Sequence, residues 1–263
     1  TVSPHLAQLD VPGAFDDGIV VGEGLLQQRP VLVAAQQGQF MGGGVGEVHG
    51  AKLVGLLERA VATRAEGVLL LLDSGGVRLH EANAGLIAIS EIMRATLAAR
   101  AAGVPVLALI GSGNGAFGGM GIVARCCTTV IMSEEGRLSL SGPEVIETVR
   151  GVEEFDSRDR GLVWRVTGGK HRFLINEAQV LVADDMAAFA QAAATALAAP
   201  AQATDPLLAL EQAQSHLEAR VERFGQCRDG LDVWAGLGID APARLPLLDT
   251  PTFLAAVADR SLP

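Results

Sequence analysis

The chain has 263 residues, enough for one large domain with a substantial core. A net charge of −10 with no dense Lys/Arg run excludes a nucleic-acid surface. Mean hydropathy is +0.33, yet the long uncharged stretch between Asp185 and Asp205 is mostly alanine, broken by Gln191, Thr195, Pro200 and Gln202. It reads as a helix of a soluble protein rather than a membrane span. Cys126, Cys127 and Cys227 have neither zinc spacing nor a disulfide framework, so no metal is expected and free thiols are. No basic-apolar leader opens the sequence, and the expected setting is the cytoplasm.

Along the chain, Gly18–Gly22 and Pro30–Ala35 are short β-branched runs that predict two antiparallel strands. Phe40-Met41-Gly42-Gly43-Gly44-Val45-Gly46 is too rich in glycine for regular structure. Leu53, Val54, Leu57 and Val61 recur at helical spacing and predict a helix ending near Gly67. Val68–Leu72 reads as a buried parallel strand, followed by Asp73-Ser74-Gly75-Gly76 and a helix from Asn83 to Ala102. Pro105–Ile110 is the next strand, and a second glycine loop, Gly111–Gly121, follows it. Then come a short helix, a strand at Thr128–Met132, a short strand at Leu138–Leu140 and a helix beginning at Pro143, where proline suits the first turn. The pattern loosens after Gly151. Val180–Ala183 predicts a last strand, and two helices, Asp185–Ala199 and Pro206–Phe224, are joined by a Pro/Ala linker. The second has apolar positions at Leu207, Leu208, Leu210, Ala213 and Leu217, so one face should pack on something.

Repeated strand–loop–helix units predict an α/β fold with right-handed crossovers. Three glycine loops, at Gly42–Gly46, Gly75–Gly76 and Gly115–Gly121, then gather at the carboxyl ends of the strands. None is a phosphate loop, since no Gly-Lys-Ser/Thr follows. Gly113-x-Gly115-x-x-Gly118 matches a dinucleotide fingerprint, but no acidic residue is placed to hold a ribose. A single Gly-Gly usually makes only a tight turn. Two such loops, each supplying a backbone N–H, suit an oxyanion, and losing one such donor costs about 2.7–4 kcal/mol.

These residues resemble a known family. Phe40–Gly46, then Ser74-Gly75-Gly76-Val77-Arg78-Leu79-His80-Glu81, then Ser141-Gly142-Pro143-Glu144-Val145-Ile146-Glu147 are similar to the β subunits of acyl-CoA carboxyltransferases. The resemblance spans roughly residues 15–190 and implies a crotonase-like fold of repeated ββα units with C-terminal helices. Residues 1–263 would then be one domain, its helical extension covering about 185–263. The four-cysteine zinc ribbon of the acetyl-CoA carboxylase β subunit is absent from this sequence. Glu81-Ala82-Asn83-Ala84-Gly85-Leu86 and Thr167-Gly168-Gly169-Lys170-His171-Arg172 instead resemble the β subunits of biotin-independent malonate decarboxylases.

That resemblance implies decarboxylation of a malonyl thioester, carried on the prosthetic arm of an acyl-carrier protein, together with a homologous γ subunit. No cofactor is bound by this chain itself. The enolate oxygen would be held by amides of Gly75 or Gly76 and of Gly118 or Gly119, with Gly42, Gly43, Ser74, His80, Gly115 and Phe117 lining the substrate. Arg78 reads better as a structural ion-pair residue than as a clamp on the malonyl carboxylate, which would stabilise the ground state. His80 and Glu81 follow the loop and either could reach the crevice. Glu47 and His49 read as surface or packing residues, and Glu144 and Glu147 suit the first turns of a helix. Arg158, Arg160, Arg165, Lys170, His171 and Arg172 are a candidate basic patch for the carrier, or an ordinary solvated loop. The alternatives are a biotin-dependent carboxyltransferase β subunit, a non-catalytic scaffold, and a crotonase hydratase, the last weakened by the lack of paired loop glutamates.

Overall fold

The structure is a computed structural model that describes residues 2–199 and 206–258. A short α1 (Pro4–Gln8) precedes a six-stranded sheet whose strands lie side by side in chain order. β1 (Ile19–Leu26) and β2 (Arg29–Gln36) pair antiparallel across Gln27 and Gln28, both with positive φ, a primed turn that suits the strand twist. The remaining pairings are parallel, from β2 through β3 (Val68–Leu71), β4 (Val106–Ile110) and β5 (Thr129–Ser133) to β6 (Val180–Val182). Every residue of β4 is buried, as expected for a central strand covered on both faces.

Register explains the two faces. Ala34, Leu70, Ala108 and Val130 are level across four strands and share one core with Leu53 and Leu57 of α2 (Glu47–Thr63), Ile92 of α3 (Asn83–Ala101) and Met120 of α4 (Gly119–Cys126). Burial of a side chain such as Leu57 or Ile92 stabilises the fold by about 1.5–3 kcal/mol each. The alternate residues Leu69, Leu107, Leu109 and Ile131 face the opposite way, onto Phe189, Ala193 and Leu197 of a later helix.

After β2, β4 and β5 the chain makes one further parallel rung before its next helix, and after β3 it makes two. Val77 pairs with Val45, and Ala116 pairs with both Ser74 and Leu138. Each unit is therefore a strand, one or two lone rungs and a helix, the repeated ββα pattern of the crotonase-like fold. The predicted strand at Leu138–Leu140 is only the last of these rungs, because the Leu140 carbonyl turns away to accept from the Gly118 N–H.

α5 (Pro143–Arg150) starts at its proline as expected. Two helices then occupy the stretch whose sequence looked irregular, α6 (Arg160–Thr167) and α7 (Gly169–Leu174). They are short and separated at Gly168, which hides their periodicity. The Asp159 carboxylate caps α6 by accepting from the Leu162 N–H at 3.0 Å. α8 (Met186–Ala198) covers the second face of the sheet.

The expected Pro/Ala linker lies outside the described residues. α9 (Pro206–Phe224) has the predicted span, yet Leu208, Leu210 and Leu217 are exposed rather than packed within the chain. α10 (Gly230–Gly236) and α11 (Thr250–Ala256) fold back on α7, where Trp234 and Phe253 join Leu174, Ile175 and Leu181 in a third cluster. Among the described residues, no helix is long and apolar enough to cross a membrane.

Candidate functional site

The loops after β2, β3, β4 and β5 are stitched together by main-chain hydrogen bonds at the carboxyl ends of the strands. Loops one and two join where Gly75 N–H donates to the Gly42 carbonyl (2.8 Å) and Val45 N–H to the Gly76 carbonyl (3.0 Å). Ser74 N–H donates to the Gly115 carbonyl (2.7 Å) and Phe117 N–H to the Ser74 carbonyl (2.9 Å), which joins loop two to loop three. Gly118 N–H donates to the Leu140 carbonyl at 2.9 Å and fastens loop three to the fourth. Gly43 has to be glycine. A Cβ there would lie 1.9 Å from the Asp73 carbonyl oxygen.

This stitching sorts the candidate amides. Those of Gly75 and Gly118 are spent on carbonyls of the chain. Among the described residues, the Gly76 N–H meets only the Ser74 hydroxyl, at 3.2 Å. Gly119 is the first residue of α4, and among the described residues its N–H has no acceptor in the chain. The two loops touch here, since a Cβ on Gly118 would lie 3.3 Å from the Gly76 Cα. Gly118 holds φ 58 and ψ −133, a left-handed bend that turns the chain into α4, whose N-terminus carries no side-chain cap.

Residues 5–210 of the chain match the carboxyl transferase domain. The chain belongs to the carboxyl transferase domain family. This carboxyl transferase domain is 39% identical over 271 residues to the malonyl-S-ACP:biotin-protein carboxyltransferase of Malonomonas rubra, a match covering 96% of this chain and 85% of that protein. It is similar to a Pseudomonas malonate decarboxylase hetero-tetramer solved with malonate, at TM-score 0.79 and 39% identity over 86% of this chain and 82% of the other. A Pseudomonas malonate decarboxylase hetero-dimer gives TM-score 0.67 and 39% identity over 78% of this chain and 87% of the other.

The other anticipated residues of this carboxyl transferase domain fall into distinct places. Gly42 lies at the edge of the first loop, exposed, and Gly43 beneath it is buried. Ser74 and Gly115 are buried in the seam between loops two and three, and Phe117 is buried with its ring 5.6 Å from the Arg137 guanidinium. His80 is exposed on a 3-10 turn, whereas its neighbour Glu81 is turned inward. Glu81 does not reach the crevice, because its carboxylate pairs with Arg78 at 3.1 Å and accepts from the Glu47 N–H at 2.7 Å.

Arg78 is the structural ion-pair residue its sequence setting suggested. It is fully enclosed, bonded to Asp17 at 2.5 Å and to Glu81, with its guanidinium 5.2 Å from the centre of the Phe40 ring. His49 is entirely buried beside it, and burial, aided by the Arg78 charge, pushes its pKa down to about 3. Its neutral ring meets the Gln36 amide at 3.2 Å. Glu47 is exposed and pairs with His5. Glu144 is exposed in the first turn of α5, and Glu147 accepts from Ser157 N–H and Oγ–H, which hold its carboxyl below the usual range.

The segment around Lys170 is not an open basic surface. Arg165 is bidentate to Asp229, Lys170 pairs with Glu134 at 2.8 Å, and Arg172 pairs with Glu177 at 2.5 Å. His171 is buried, and desolvation pushes its pKa to about 3. Only Arg158 and Arg160 of the six are exposed. Arg165, Lys170 and His171 are held against the C-terminal segment, and Arg172 bonds to Glu177 and to the Val166 carbonyl of α6.

Three participants were not visible in the sequence. Asp17 lies 61 residues before its partner Arg78, so no local pattern marks it. Arg137 donates to the Gly113 and Asn114 carbonyls and stands over both Phe117 and Trp164. Asp73, next to the Ser-Gly-Gly loop, accepts from the Asn114 N–H at 2.7 Å. Among the described residues, no three His, Cys, Asp or Glu side chains are grouped to hold a metal ion.

Proposed function

We propose that this carboxyl transferase domain is the β subunit of a biotin-independent malonate decarboxylase, acting on a malonyl thioester carried by an acyl-carrier protein. The C–C bond to the carboxylate breaks, CO₂ leaves, and the electron pair moves into the thioester as an enolate. The Gly76 and Gly119 N–H groups hold the enolate oxygen, and protonation at carbon gives the acetyl thioester. The observation that carries this reading is the close approach of two glycine loops, one bearing the Gly76 N–H, engaged by a side-chain hydroxyl rather than a carbonyl, and the other the Gly119 N–H at the start of α4. Gly119 adds the positive end of α4, which favours negative charge. Gly42, Gly43, Ser74, His80, Gly115 and Phe117 remain our candidates for contacts with the rest of the substrate.

A homologous γ subunit completes the site in this reading. Leu79, Leu86, Ile87, Leu140 and Val145 are exposed apolar residues on the segments flanking the loops, where a partner would cover them. The similar Pseudomonas enzymes are hetero-dimers and hetero-tetramers. Three free thiols fit a cytoplasmic setting.

The Malonomonas relative favours a second reading, in which the carboxyl group passes to a biotin protein instead of leaving as CO₂. The test is CO₂ release from the malonyl-carrier thioester by the chain co-purified with its partner, with avidin present. Release that avidin does not touch supports the biotin-independent reaction. Turnover that requires a biotinylated protein establishes the second reading instead.

A further inference from the structure

Among the described residues, the seam between the two amide-bearing loops is built almost wholly from main chain, with one side-chain exception. Asp73 stands at the end of β3, immediately before Ser74. Its Oδ1 accepts from the backbone N–H of Asn114 at 2.7 Å, across to the loop after β4. The next links in the same seam are Ser74 to Gly115 and Phe117 to Ser74, and beyond them Gly118 approaches Gly76. The Asp73 carboxylate is thus the first rung of the ladder whose last rung faces the substrate.

Both sides of Asp73 are held. Its own N–H donates to Gln36 Oε1 at 3.0 Å, and the Gln36 amide nitrogen meets the buried, neutral His49 ring at 3.2 Å. Asn114 is fixed in turn, its side-chain amide donating to the Gly38 carbonyl at 2.9 Å while the Arg137 guanidinium takes its carbonyl. The carboxylate is closely walled. A Cβ on Gly38 would lie 1.9 Å from Asp73 Oδ2, and one on Gly113 would lie 3.0 Å from Oδ1. A bond from N–H to a carboxylate is stronger than one between neutral groups and stiffer against displacement.

We propose that Asp73 is a positioning residue for the oxyanion cradle: its carboxylate sets how far loop three sits from loop two, and so the spacing of the Gly76 and Gly119 amides. The assignment rests on the decarboxylase reading for its kinetic consequence but not for its structural one. Asp73→Ala removes the acceptor, while Asp73→Asn keeps an oxygen at the same place. With the γ subunit present, D73A is expected to lower kcat for the malonyl thioester about tenfold with KM changed less than twofold, and D73N to recover most of the loss. Backbone hydrogen exchange over residues 112–119 should quicken in D73A and stay near wild type in D73N.

A D73A complex with wild-type kcat and exchange would overturn the proposal, as would a D73N variant as impaired as D73A. If D73A does not assemble, Asp73→Ser and D73N are compared in its place on the same two readouts. A wild-type complex that releases no CO₂ would count against the decarboxylase reading alone. The exchange measurement would still decide what Asp73 does.

Discussion

Replacing Gly118 with alanine is the sharpest perturbation of the cradle, because the structure fixes both its cost and its direction. Ala82, just before α3, already holds φ 48 and ψ −126, nearly the backbone of Gly118 at φ 58 and ψ −133. Alanine can therefore adopt the bend, at a strain of about 1–3 kcal/mol. Its Cβ would lie 3.3 Å from the Gly76 Cα, whereas carbon atoms rest at about 3.5–4.0 Å. Relief requires the loops to part by roughly 0.2–0.7 Å at the point where the two amides converge. Outright loss of one oxyanion donor costs about 2.7–4 kcal/mol. Partial loss should lower kcat by about 10- to 100-fold, or about 1.4–2.7 kcal/mol. The assay is CO₂ release from the malonyl-carrier thioester by complex shown to be assembled on gel filtration. An assembled G118A complex with wild-type kcat would refute the cradle.

Two further outcomes concern stability. Arg78→Met leaves the Asp17 and Glu81 carboxylates buried without their cation, and urea unfolding should register a loss of about 3–5 kcal/mol. His49 and His171 have pKa values of about 3 when folded, below the ordinary histidine value of 6.5. The unfolded chain therefore binds more protons between these values, so stability is complete above pH 6.5 and falls as the pH drops. Each histidine should contribute a slope of about 1.4 kcal/mol per pH unit below that point. Chemical denaturation between pH 6.5 and 4.5 reads this before most carboxylates titrate, and His49→Gln should remove about half of the slope.

What the sequence revealed follows how local each determinant is. The strands at Val68 and Val106 are short apolar runs, and their burial on both faces is written in consecutive residues. α9 could be bounded because proline opens it and its apolar positions repeat. α6 and α7 escaped notice since eight and six residues on either side of Gly168 are too few to show a period. The glycine loops were legible as a group, but the sorting of their amides was not. The Gly75 amide is spent on the Gly42 carbonyl and that of Gly118 on Leu140, whereas Gly76 meets a side-chain hydroxyl, contacts that only the folded chain creates. The ion pairs of the basic segment at 158–172 were hidden for the same reason: Asp229 and Glu134, the acids that meet Arg165 and Lys170, lie far from them along the chain.

A cradle made of peptide N–H groups has no protonation state to gain or lose across the physiological range. If these amides hold the enolate oxygen as proposed, their grip should be the same at pH 6 and at pH 9, so a bell or a limb in the kcat profile cannot originate there. Any such ionisation belongs to a group outside the cradle, the acid that returns a proton to carbon among them. Measured on complex shown to stay folded, the pH profile therefore reports on side chains outside the cradle, and a variant of one subunit or the other that shifts it would tell which chain carries the group.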